Sequence, residues 1–84
     1  MIRFTKHATE KFIILRRHGV VISESMVIRT LMYPASIDRS RLPLKIAQRS
    51  FDKTRVLRVV YKESDGDKIV ITFYPGRKND YEKR

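Results

Sequence analysis

His7 and His18 are the only histidines in the chain, and there is no cysteine. Imidazole is the side chain whose ordinary proton affinity suits transfer near neutral pH. His7, close after Thr5 at the expected start of a helix, is therefore the first candidate for proton transfer, and local packing or capping is its competing role. Glu10 follows one turn later, placed either to orient the ring or to pair with Lys6 at the surface, a contact worth little. His18 precedes Gly19 at the expected end of the same helix, where a cation is favoured by the helix dipole, and reads as structural. The two histidines lack the i, i+4 spacing of a helical metal pair. Without cysteine there is no thiolate site, so neither a metal nor a cofactor is expected. Ser23 reads as a helix cap rather than a nucleophile. The sequence has no phosphate-binding glycine loop, no catalytic triad and no carboxylate pair.

The cations are the stronger signal. Nineteen Lys and Arg against nine Asp and Glu leave a net charge of +10 in 84 residues. Such an excess attracts polyanions, and nucleic acid is the natural partner; an acidic protein partner, or a need for solubility alone, would also account for the charge. Residues 35–84 hold thirteen of the basic residues and seven of the acidic ones. A hydrophobic content of 42% suits a folded globular chain, and the length allows one domain, 1–84. The longest apolar runs, Phe12 to Leu15 and Val20 to Ile22, are far short of the ~20 residues that span a bilayer. The N-terminus has no signal-peptide core. No membrane contact and a cytoplasmic location are the resulting expectations.

The elements that must hold these residues are legible in outline. Residues 2–4 read as a short strand or an extended lead-in. Thr5 caps a helix whose Ala8, Phe12 and Leu15 form one apolar stripe, and Gly19 ends it. Ser23 caps a second helix, with Glu24 in its first turn and Val27 and Leu31 facing inward, and Pro34 stops it. After Pro34 the pattern alternates. Leu44 to Phe51, Thr54 to Glu63 and Lys68 to Tyr74 read as strands, with Asp52-Lys53 and Asp65-Gly66 as two-residue turns and Lys78 to Arg84 as a short helical tail. The expected fold is α+β, an N-terminal helical hairpin packed on an antiparallel sheet of three to four strands.

Those turns predict the faces. Directly opposed residues share a face, so Leu44, Ile46, Leu57, Val59, Tyr61, Val70 and Tyr74 should lie under the helices. The other face should show Lys45, Ala47, Arg49, Val56, Arg58, Val60, Lys62, Ile69, Ile71 and Phe73, with Arg77 joining if the chain runs on extended. Cations around an aromatic ring suit RNA, the cations binding phosphate and the ring stacking on a base; a solvated outer face is the alternative. Lys45, Arg49, Lys62 and Phe73, with Lys78 just beyond, are the expected RNA-binding residues.

Two stretches together resemble a known group. Phe4-Thr5-Lys6-His7-Ala8 leads into a helix, then Gly19, Ser23 and Pro34 follow. Later come Leu57-Arg58-Val59-Val60-Tyr61, Asp65-Gly66 and Val70-Ile71-Thr72-Phe73-Tyr74-Pro75-Gly76-Arg77. This order resembles a family of small, mostly uncharacterised domains grouped with the RelE/ParE toxin superfamily, over most of the chain. The resemblance implies a toxin-like fold. RelE-type members are mRNA endonucleases, usually cutting on the ribosome; ParE-type members act on DNA gyrase; a protein antitoxin neutralises both. It further implies that basic residues and a late tyrosine do the chemistry, with Arg58 and Arg77 holding the phosphate through paired donors and Tyr81 as that tyrosine. The expectation is a toxin acting as a metal-independent mRNA endoribonuclease, with Arg58, Arg77, Tyr81 and His7 as catalytic residues, RNA (free or on the ribosome) and an antitoxin as partners, and a monomeric free form. A non-catalytic RNA- or ribosome-binding module and a ParE-like inhibitor of a protein target are the alternatives.

Overall fold

The computed structural model describes residues 1–81. The elements run β1 (Ile2–Phe4), α1 (Lys6–Arg17), α2 (Glu24–Met32), β2 (Ser36–Arg41), β3 (Leu44–Ser50), β4 (Arg55–Ser64), β5 (Asp67–Arg77) and α3 (Lys78–Tyr81). The five strands form one mixed sheet in the order β1-β5-β4-β3-β2. The expected antiparallel sheet of three to four strands thus gains two rims: β1, which pairs parallel with β5, and β2, which pairs antiparallel with β3.

Local chemistry sets the helix ends. Thr5 Oγ1 accepts the Ala8 N–H at 3.1 Å, and Ser23 Oγ accepts the Met26 N–H at 3.2 Å, each satisfying a backbone donor that the first turn leaves orphaned. Gly19, at φ 80°, closes α1, and α2 stops at Met32, just short of Pro34. α1 rests mainly on β5 and β1, α2 on β4 and β3; each helix finds its principal partner in the sheet rather than in the other helix. Beneath them lie Ala8, Val27, Leu31, Ala47, Leu57, Val59, Tyr61, Val70 and Phe73, all buried. Phe12 bridges Phe73 and Phe4, with centroids 4.5 and 5.9 Å away. No helix among the described residues is long and apolar enough to cross a membrane.

Two one-residue offsets correct the predicted faces. The turn between β4 and β5 is the tight Asp65-Gly66 pair, with φ of 52° and 83°, and Tyr61 opposes Val70 as expected. Beyond that pair β5 carries a bulge: Val60 opposes Thr72 and Val59 opposes Phe73, so Ile71 is extra. Phe73 therefore turns into the core, fully buried, instead of standing on the open face, and Tyr74 moves out to oppose Arg58. Thr5 holds this bulge from the far end of the chain: its N–H bonds the Val70 carbonyl at 3.1 Å and its hydroxyl the Ile71 carbonyl at 3.2 Å.

The second offset is at the turn between β3 and β4. Asp52, Lys53 and Thr54 form a three-residue loop closed by the Phe51 N–H to the Arg55 carbonyl. Asp52 Oδ1 accepts the N–H groups of Thr54 and Arg55 at 3.0 and 2.8 Å, and Oδ2 takes the Arg55 guanidinium. These bonds, the Arg55 side chain first, pull the Asp52 carboxyl down to a pKa of about 2. The extra residue shifts β3 by one. Ala47 opposes Val59, Lys45 opposes Tyr61 and Arg49 opposes Leu57, so Lys45, Ala47 and Arg49 lie on the helix-bearing face and Leu44 and Ile46 on the other.

Candidate functional site

Arg58 sits in the middle of the sheet face that α1 and α2 leave uncovered. It is 7% exposed, and a buried guanidinium must be paired and hydrogen-bonded. Three neighbours do this. Nη1 donates to Gln48 Oε1 at 2.6 Å, Nε to Tyr74 Oη at 3.2 Å and Nη2 to Asp38 Oδ2 at 3.4 Å. The strands place all three: Gln48 opposes Arg58 on β3, Tyr74 opposes it on β5, and Asp38 stands opposite Ile46 on β2. Asp38 accepts hydrogen bonds from Ser40, and these, with the Arg58 charge, hold its carboxyl below the usual carboxylate range.

The Tyr81 ring covers the guanidinium, its centroid 4.1 Å from Arg58 Cζ, within the range of a cation–π contact. Gly76 makes room for it. Gly76 opposes Val56, on the same face as Arg58, and a Cβ at Gly76 would overlap the Tyr81 ring. Arg58, Gln48, Tyr74, Asp38 and Tyr81 line a cleft of about 720 Å³ that also reaches Arg41 and Asp80. A guanidinium carries five N–H donors, so two are not engaged by Gln48, Tyr74 or Asp38.

His7 approaches the same face from the edge of β5. Its Nε2 lies 3.3 Å from Thr72 Oγ1, and Thr72 is two residues from Tyr74, about 7 Å along a strand. His7 is exposed. Its neighbour is Thr72, and Glu10 makes no hydrogen bond to it among the described residues.

The other predicted site residues scatter. Arg77 opposes Arg55, which puts it on the helix-bearing face, away from Arg58. Lys45 is tied to Glu63, whose carboxyl this bond holds low. Arg49 Nη1 donates to the Tyr33 carbonyl at the end of α2 at 2.7 Å. Phe73 is core. Lys62 is exposed on the open face opposite Ile69, and Lys78, partly buried, begins α3 with its N–H on the Thr54 carbonyl. Conversely, Asp38, Gln48 and Thr72 adjoin Arg58 and His7 although nothing in their local sequence marks them. Among the described residues no three His, Asp or Glu side chains gather as a metal site would require.

No family model, curated protein or solved structure matches the chain.

Proposed function

We propose that this chain acts on RNA through the open sheet face centred on Arg58, as a metal-independent endoribonuclease and the toxin of a toxin–antitoxin pair with a RelE-like fold. The observation that carries the reading is the placing, in a chain of charge +10, of an oriented guanidinium, the Tyr74 and Tyr81 side chains and, bonded to Thr72 at the strand edge, the exposed His7 imidazole. In this scheme the two spare N–H donors of Arg58 grip the scissile phosphate and stabilise the charge that builds on it. His7 takes the proton of the ribose 2′-hydroxyl as its oxygen attacks phosphorus. Tyr81 returns a proton to the 5′-oxygen as the P–O5′ bond breaks. The products are a 2′,3′-cyclic phosphate and a 5′-hydroxyl end. Lys62 at the face and Lys78 at the start of α3 add phosphate contacts.

One observation favours a second reading. Three donors of Arg58 are already engaged and one face of its guanidinium lies under Tyr81, as in a structural network; a module that binds RNA or ribosome without cutting would need no more. The test is incubation of the purified chain with RNA in EDTA, comparing wild type with His7→Ala, a change at an exposed residue. Cleavage by the wild type that leaves cyclic phosphate ends and falls at least tenfold in His7→Ala supports the endonuclease. RNA that is bound but stays intact supports the binding module. Growth arrest on induction of the wild type, relieved by the same change, extends the test to the toxin role.

A further inference from the structure

The helix-bearing face emerges from beneath α2 at the β3–β4 turn, and four arginines collect there. Arg29 of α2 and Arg49 of β3 line a groove of about 280 Å³ between helix and sheet, with Phe51 at one side and the buried Thr30 and Leu57 in its lining. Arg55 lies over the Phe51 ring, its Cζ 4.9 Å from the centroid, and Arg77 stands directly opposite Arg55 on the next strand. Like charges directly opposed across a strand pair are unfavourable, and this pair sits in a chain with a large cationic excess.

The compensation is sparse. Asp52 neutralises Arg55. Among the described residues Arg29 and Arg77 make no ion pair, and Arg49 bonds only a neutral carbonyl. Among the described residues no carboxylate lines the groove. The Arg58 cleft differs, because there Asp38 and Asp80 offset the cations. Four guanidinium groups against one carboxylate, with forked donors that match phosphate oxygens, suit a polyanion that runs past rather than a reacting centre.

We infer that this groove, with Arg77 at its far side, is a second nucleic-acid seat that binds the phosphodiester backbone of single-stranded RNA without regard to sequence. This rests on RNA being the partner, but not on cleavage. The seat lies on the opposite side of the sheet from Arg58, so it adds affinity and positions the strand while the chemistry belongs to the other face.

The test uses a fluorescent 2′-O-methyl RNA of about 12 nucleotides, a length within the usual range for single-strand sites. Lacking a free 2′-hydroxyl it cannot be cut by the proposed route. Binding is followed by anisotropy between about 50 and 200 mM KCl for wild type, Arg29→Gln/Arg77→Gln and a charge-matched Arg16→Gln/Arg17→Gln pair on α1. The groove variant should bind about tenfold more weakly and lose about 1.4 from the salt slope, two contacts at ~0.7 each; the α1 pair should change binding less than about twofold. Equal losses in the two variants, no binding by the wild type, or displacement of the RNA by an equally charged oligoglutamate at lower concentration would overturn the inference. Groove-dependent binding together with intact ordinary RNA would reject cleavage alone; cleavage with groove-independent binding would reject the seat alone.

Discussion

Gly76 is where a single methyl group should uncouple Tyr81 from Arg58. A Cβ there overlaps the Tyr81 ring, and the ring belongs to α3, one turn at the end of the described chain, so the ring yields rather than the strand. The ring–guanidinium contact, with Arg58 7% and Tyr81 41% exposed, lies between the exposed and desolvated limits and is worth about 1 kcal/mol. Gly76 has no positive φ, so alanine there also restricts the unfolded chain and returns about 0.4–1 kcal/mol. Gly76→Ala should therefore leave global stability nearly unchanged while it displaces the ring. The assay is a double-mutant cycle by urea unfolding. Tyr81→Leu should cost about 1 kcal/mol in the wild type and close to nothing on the Gly76→Ala background, a coupling of about 1 kcal/mol. In parallel the Arg58 Nε–H resonance should move once it leaves the ring current. If Tyr81→Leu costs the same in both backgrounds and the resonance stays put, the ring does not depend on the space at Gly76 and the two residues are not coupled.

Other outcomes follow from the same geometry. Arg58→Met should cost about 2 kcal/mol, mostly from the buried Gln48 amide oxygen left without a donor, and Arg58→Met/Gln48→Leu should recover about half of that; an additive double variant would count against this network. Thr5→Ala should lose about 2 kcal/mol, about one for the helix cap and about one for the bond to the bulge, whereas Thr5→Ser should stay within about 0.5 kcal/mol; both are read by urea unfolding. Asp52 titrates at about 2 in the folded chain against an ordinary 3.8, so its stabilisation is complete above the ordinary value and vanishes as pH falls through about 2. The difference in melting temperature between wild type and Asp52→Asn should therefore be present at neutral pH and shrink to nothing on acidification; a difference independent of pH would mean that charge plays no part.

What could be read in the sequence was what a few neighbouring residues decide. The caps made by Thr5 and Ser23 and the Asp65-Gly66 turn act over four residues or fewer, and each does what its side chain or its φ preference dictates. The offsets were illegible for opposite reasons. Asp-Lys-Thr at 52–54 supports a loop of two residues or of three, and the choice rests on how many backbone donors one carboxylate gathers; that single residue moved Lys45 and Arg49 to the other face. The bulge at Ile71 is held by Thr5, 66 residues away, a contact that no local pattern contains. It decided which of Phe73 and Tyr74 is core and which is site. β2 was missed because Ser36–Arg41 holds one apolar residue, Ile37, too few for an alternating signal, yet it supplies Asp38. Arg58 and His7 stand out in the sequence as residue types without their neighbours, because Gln48, Asp38 and Thr72 come from three other strands.

The same irregularities bear on how copies of this chain meet. A long, flat strand at the rim of a sheet is a template on which another copy can add its own strand. Both rims interrupt such a template here. On one side β2 shifts register between Asp38 and Arg41 and carries Arg39 and Arg41. On the other, β1 guards the start of β5 as far as Val70, and Thr5 and His7 bond to Ile71 and Thr72 just beyond, where the extra residue bends the strand. Kinks that aim side chains thus also break up the runs of open strand edge, and a net charge of +10 sets copies of the chain against one another.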